Sequence, residues 1–174
     1  MTQQPLIRRR TAVATALLVG AGLATPSAVF AQAGKSALNL AMVAEPPTLD
    51  IQSTPADLVC IIMQHVYEPL YTFDAKSTLV PMLAESMPKI SADGKTYAIA
   101  LRKGVKLHSG RDLNADDVVA SLKRWMDVSP RGKSVAAQVA DLVAKGPMTV
   151  EISLKNAYAP LLSQLAMASG MAAI

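Results

Sequence analysis

The chain has 174 residues, 51% of them hydrophobic, and a formal net charge of +4, which suits one ordinary domain. Arg8, Arg9 and Arg10 open the chain, whereas all 13 acids and 14 of the 17 bases lie beyond residue 33, so that the remainder carries about +1. A near-neutral body excludes a broad cationic surface for nucleic acid, and a lone cysteine, Cys60, excludes an internal disulfide.

The first 33 residues have the order of a cleavable secretory leader. Three arginines precede an apolar run from Thr11 to Ala24, Pro26 breaks that run, and small residues continue to Ala31-Gln32-Ala33. The run falls short of the ~20 apolar residues of a membrane span, so cleavage is expected, after Ala33 first and after Ala31 second. The arginines admit twin-arginine export as an alternative route, although Thr11-Ala12-Val13 lacks the bulky residue usual after the pair. No cysteine follows the run, so the lipid-anchored form of such a leader is absent.

Alternation of Leu38, Leu40 and Met42 with Asn39 and Ala41 predicts a strand, ended by Glu45-Pro46-Pro47. Thr54-Pro55-Ala56-Asp57 then reads as a helix start, with Thr54 as cap and Pro55 in the first helical position. Leu58, Ile61, Ile62 and Val66 supply the apolar stripe of that helix, Cys60 lies on its apolar side, and Pro69 stops it. Tyr71-Thr72-Phe73 predicts a short strand before a turn at Asp74 to Ser77. Pro81 to Ser86 has no clear period. Lys89-Ile90-Ser91 and Thr96 to Leu101 flank Asp93-Gly94 as a hairpin, with Tyr97, Ile99 and Leu101 on one face.

Val105 and Leu107 predict a further short strand before Ser109-Gly110. Asn114 caps the next helix, with Asp116 and Asp117 in its first turn and Lys123 and Arg124 in its last. Val118, Leu122, Trp125 and Met126 form its buried stripe. A second helix is expected over Val135 to Ala144, ended by Gly146-Pro147. Met148, Val150, Ile152 and Leu154 alternate with Thr149, Glu151, Ser153 and Lys155, the clearest half-buried strand of the chain. Tyr158-Ala159-Pro160 opens a last helix through Leu161, Leu162, Leu165 and Ala166. This order predicts a mixed α/β (α+β) fold. The chain halts on Gly170-Met171-Ala172-Ala173-Ile174 without a polar tail, which predicts that it is an amino-terminal fragment.

Several runs together carry a family resemblance. They are Pro47-Thr48-Leu49-Asp50, Val66-Tyr67-Glu68-Pro69-Leu70, Val80 to Ser86, Ser91-Ala92-Asp93-Gly94-Lys95-Thr96-Tyr97, the block Leu101 to Trp125, and Val150 to Leu162. In this order and spacing the segment from Leu38 to Ala166 resembles the amino-terminal part of the extracytoplasmic solute-binding proteins of ABC importers, the peptide/nickel-binding family (family 5). Leu107 stands where an aromatic is usual, Asn114 where Thr is usual and Pro69 where Gly is common. Asn caps as Thr does, and Leu fills a core as Phe does.

The resemblance implies two α/β lobes closing around a ligand, with a smaller domain inserted early. Residues 34–50 and 158–174 would then belong to the first lobe and residues 51–157 to the inserted domain. It implies a periplasmic protein, without cofactor or catalysis, that binds a peptide or similar solute as a monomer and delivers it to an inner-membrane ABC permease. A nickel chelate, haem or a sugar is the alternative ligand.

The loop and first helical turn after Asp50 are expected to border the cleft, which makes Ser53, Thr54, Ala56 and Asp57 the candidate ligand-binding residues. Backbone there can pair with an extended peptide as a strand does; plain capping by Thr54 and Asp57 is the competing explanation. His65 and His108 stand on different elements without metal-ligand spacing. His108 reads as a structural hydrogen-bonding residue at a strand end, and Asp116 and Asp117 as helix-start charges. A hydrolase using His108 with Asp116 or Asp117 is the enzymatic alternative. No Gly-x-Ser-x-Gly elbow, phosphate loop or zinc-helix motif occurs.

Overall fold

The computed structural model describes residues 41–174. The expected leader of residues 1–33 lies outside the described residues, as does most of the strand expected from Leu38. Ala41 and Met42, its described end, are not in a strand.

The mixed α+β architecture is present. Its centre is a four-stranded antiparallel sheet in the order β3-β4-β6-β5, built from β3 (Lys89–Ile90), β4 (Thr96–Ala100), β5 (Val139–Ala144) and β6 (Thr149–Leu154). Register follows from the alternation. Tyr97 and Ile99 of β4 stand opposite Ile152 and Val150 of β6, and Leu142 of β5 stands opposite Ile152 from the other side. Directly opposed residues share a face, so one buried apolar face results, and Glu151 and Ser153 are left on the other. The β3–β4 hairpin turns at Asp93-Gly94, as expected. Gly94 has φ +69°, and Asp93 Oδ1 accepts from the Lys95 amide at 3.1 Å.

The buried face is covered by α2 (Ala115–Val128), which packs on β5 and β6. Its start is the expected Asn114 cap, with a full capping box. Asn114 Oδ1 accepts from the Asp117 amide, and Asp117 Oδ2 accepts from the Asn114 amide, each at 3.0 Å. Val118, Leu122 and Trp125 are buried, as the apolar period predicts. The helix runs on to Val128, one turn past the expected end, so Lys123 and Arg124 lie inside it and not in its last turn.

Two expectations fail here for physical reasons. Residues 135–144 do not form one helix. Instead α3 (Pro130–Ala136) starts on a proline after Ser129, and β5 follows after a short link. The alanines of this stretch favour a helix locally, but β6 offers an edge, and pairing Val139 to Ala144 with it buries Leu142 in the core. A bulge between Val139 and Asp141 absorbs the extra residue. The contact of α2 with α3 needs Gly132, because a Cβ there would lie 2.0 Å from the Trp125 carbonyl oxygen.

The other failure lies in the cap, the end and the stripe of the first helix, α1 (Asp57–Met63), which itself forms. Ala56, not Thr54, stands at its cap position, and the helix ends before Val66. Thr54 Oγ1 accepts from the Ala56 amide at 3.2 Å, a local turn that occupies the hydroxyl. The buried face is Val59, Cys60 and Met63, whereas Ile61 and Val66 are exposed. Val59 and Met63 pack with Ile51, Met171 and Ala173 in a small second cluster.

A two-stranded sheet, β1 (Tyr71–Phe73) with β2 (Leu79–Pro81), closes around the expected turn. The Asp74 carboxylate accepts from the Lys76 and Thr78 amides, both at 2.8 Å. The strand expected at Val105 and Leu107 is reduced to a single bridge, Lys106 with Asp112. The last helix, α4 (Leu161–Ala166), sends Leu161 and Leu165 into the main core. Among the described residues no helix is long and apolar enough to cross a membrane.

Candidate functional site

Residues 48–53 fold into a turn that satisfies its own polar groups. The Asp50 amide donates to Thr48 Oγ1 at 3.1 Å and the Gln52 amide to Asp50 Oδ1 at 3.2 Å. The Ser53 hydroxyl donates to the Asp50 carbonyl at 2.9 Å. This turn presents Asp50 and Gln52 to Arg124, which projects from α2.

Arg124 meets the Asp50 carboxylate with two nitrogens, at 3.1 and 2.6 Å, and also donates to Gln52 Oε1 at 2.7 Å. Gln52 is only 6% exposed. Its amide nitrogen donates to the Ala173 carbonyl at 2.7 Å and the Ser121 carbonyl at 3.3 Å, so both of its N–H groups are used. Three segments distant in sequence are thereby tied together. The hydrogen bonds from Arg124 hold the Asp50 carboxyl below its ordinary pKa against the opposing effect of burial, and Asp50 raises Arg124 in return. The pair is ionised and internally neutral.

Above this network lies an open hollow of about 510 Å³, bordered by Asp50, Gln52, Tyr67, Ser121 and Arg124 on its polar side and by Leu49, Ile51 and Ala173 on its apolar side. A wall that joins a few placed polar groups with aliphatic surface is the usual make-up of a small-molecule site.

The four residues expected from the sequence stand beside this hollow, and none borders it. Ser53 is exposed with its hydroxyl bonded back to Asp50. Thr54 and Ala56 are half-buried, and Ala56 packs on the small cluster. Asp57 is exposed at the first position of α1. The residues that do border the hollow went unremarked as site residues. Asp50 had a signal, since it closes the Pro47-Thr48-Leu49-Asp50 run. Arg124 had none, because its partner lies 74 positions away.

A second hollow of about 300 Å³ brings His65, His108, Tyr67 and Lys106 to one place, which the spacing of the two histidines did not suggest. His108 Nε2 lies 3.2 Å from the Val66 carbonyl. A carbonyl only accepts, so this nitrogen carries a proton, and His108 has the structural bond expected of it. Its ring stacks on Tyr67, with centroids 6.3 Å apart and planes 9° from parallel.

The carboxylate of Asp117 is already committed. Both its oxygens accept from Arg111 at 2.7 Å, one also caps α2, and the bonds from Arg111 hold its pKa down. This geometry gives His108 no orienting carboxylate from Asp117.

Comparison with known proteins is consistent with a binding role. The family described as bacterial extracellular solute-binding proteins, family 5 Middle, matches residues 78–173, more than half of the chain. A probable peptide ABC transporter periplasmic-binding protein of Sinorhizobium fredii is 32% identical over 163 residues, covering 92% of this chain and 30% of its own length. The nickel-binding periplasmic protein of Escherichia coli is 35% identical over 104 residues, covering 59% of this chain and 20% of its own. The solved structure of a dipeptide-binding protein from Pseudoalteromonas in complex with Met-Leu superposes with a TM-score of 0.65 at 27% identity, over 73% of this chain and 29% of that one. The chain thus spans less than a third of each of these proteins, all of them described as binding proteins. With the hairpin, the Asn-capped α2 and the β6 strand inside the matched region, the chain belongs to the family 5 bacterial extracellular solute-binding proteins.

Proposed function

We propose that the chain is part of the substrate-binding component of an ABC importer, which captures peptides or similar solutes in the periplasm and delivers them to an inner-membrane permease. The observation that carries this reading is the family match over residues 78–173, joined by relatives whose names describe periplasmic peptide and nickel binding. Residues 1–33 act as the export leader, and the periplasmic relatives support that destination. The protein performs no chemistry; it holds its solute by non-covalent contacts and works as a monomer.

The ligand segment runs from Asp50 into α1. Ser53, Thr54, Ala56 and Asp57 flank the Asp50–Arg124 wall as the ligand-contacting segment, although the Ser53 and Ala56 amides are already taken by the Asp50 carbonyl and by Thr54 Oγ1. Residues 34–50 and 158–174 belong to one lobe and residues 51–157 to the inserted domain, a division supported by the family resemblance. Leu161 and Leu165 share the main core with Trp125, so the two portions meet through continuous apolar packing. Closure around a ligand requires an opposing lobe, and residues 34–174 by themselves are expected to bind weakly.

Isothermal titration calorimetry of the full-length protein with di- and tripeptides tests the reading. Saturable heat at micromolar peptide, with the peptide recovered intact, is the expected result. Heat only with a nickel–histidine chelate would transfer the assignment to the second ligand class, which the nickel-binding relative favours. Cleavage of the peptide would end the reading.

A further inference from the structure

Tyr67 is an aromatic residue that the fold leaves 38% exposed. It borders the hollow of about 510 Å³ that contains the Asp50–Arg124 pair, the second hollow of about 300 Å³, and a third of about 100 Å³ beside Pro69 and Met82. An exposed aromatic on a short connection usually samples several rotamers. Here two features restrain it. The His108 ring stacks on it nearly parallel, within the 4.5–7 Å range favourable for aromatic pairs. His108 is in turn bonded to the carbonyl of Val66, the residue before Tyr67, so ring and platform are held to the same stretch of backbone. The backbone is anchored as well, since the Tyr67 amide donates to the Met63 carbonyl at 2.9 Å and the Glu68 carbonyl accepts from the Ile174 amide at 3.1 Å.

We propose that Tyr67, backed by His108, is a specificity-determining residue: a prefixed aromatic wall that favours peptides carrying an aromatic side chain. The inference deepens the peptide-binding reading and rests on it. The chemistry of the hollow points the same way. Its one ion pair is mutually neutralised, so it offers little net charge to select an acidic or basic side chain. Among the residues that border it, Tyr67 alone is aromatic and supplies its π surface. A ring already oriented loses little conformational freedom when a ligand ring packs on it, and an aromatic pair contributes about 0.5–1.5 kcal/mol beyond the area it buries.

The test compares Ala-Phe with Ala-Leu by calorimetry on the full-length protein and on its Tyr67→Ala, Tyr67→Phe and His108→Ala variants. The native protein should bind Ala-Phe about three- to ten-fold more tightly than Ala-Leu. Tyr67→Phe should keep that preference, because the ring survives. Tyr67→Ala should abolish it, bringing the two peptides to equal affinity, and His108→Ala should reduce it by loosening the ring. Equal affinities in the native protein, a preference that survives Tyr67→Ala, or an equal loss of both peptides in that variant would each overturn the inference and leave the peptide-binding reading standing. No binding of either dipeptide by the native protein would remove both.

Discussion

In the layer where α2 lies on β5 and β6, with β4 alongside β6, the side chains of the shared core are Val118, Leu122, Trp125, Tyr97, Ile99, Leu142, Val150 and Ile152, all buried. In the corner where residues 49–53 approach α2, the ties are instead a bidentate ion pair, a buried glutamine and a cluster of five buried apolar side chains. The first region is stabilised by area removed from water, which is non-directional and tolerant of detail. The second depends on a few directional bonds between groups that remain partly solvated. A region of the second kind leaves an open hollow with polar walls, whereas the first leaves only a void of about 10 Å³ among Trp125, Leu142, Ile152 and Leu161. Binding surface therefore sits where packing is thin, on a scaffold where it is dense.

The largest expected effect is in the dense layer. Trp125→Ala empties the centre of the main core and removes the indole N–H bond to the Gly170 carbonyl at 2.8 Å. It should cost about 3–5 kcal/mol, read from the urea midpoint. A loss below about 1 kcal/mol would mean that the layer is not the source of stability. Next is the start of α2. Asn114→Ala removes the cap and should cost about 1 kcal/mol, again by urea unfolding, whereas Asn114→Thr should be nearly neutral. An equal loss in both variants would deny the capping explanation.

The smallest effect belongs to the corner. Asp50→Asn breaks a pair whose side chains are 35% and 51% exposed, so solvent screening limits its contribution to about 0.2–1 kcal/mol. Because folding lowers the Asp50 pKa below its ordinary 3.8, the pair stabilises fully above that value and its contribution is lost as pH falls through the lowered folded value. The melting temperatures of the native and Asp50→Asn proteins should therefore differ at pH 7 and converge in acid. The difference should also shrink in 1 M salt. A gap that persists at pH 2 would show that Asp50 acts by packing and not by charge.

The two regions were unequally legible. In the dense layer the period-2 alternation of residues 148–155, the Asp93-Gly94 turn and Asn114 followed by Asp117 were each local signals, and each element formed where its signal lay. Residues 135–144 misled, because their alanine-rich local preference favours a helix and only the free edge of β6 made a strand of Val139 to Ala144. In the corner, helix α1 and the burial of Cys60 were expected, but the cap and the rest of the buried face, Val59 and Met63, were not. Those were set by the turn at Thr54 and by the contact with Met171 and Ala173, more than a hundred positions away.

The order of residues alone determined the fold class, the antiparallel hairpin and the capped helix, because these rest on spacings of a few residues and on binary patterning, and it carried the family through its resemblance to known proteins. Only the tertiary structure decided that Arg124 meets Asp50 and Gln52, that Tyr67 stacks on His108, and that both contacts border hollows. Contacts between residues some 40 and more than 70 positions apart leave no periodic trace in a chain. They exist because burial of α2 and of the small cluster brings those backbones within reach.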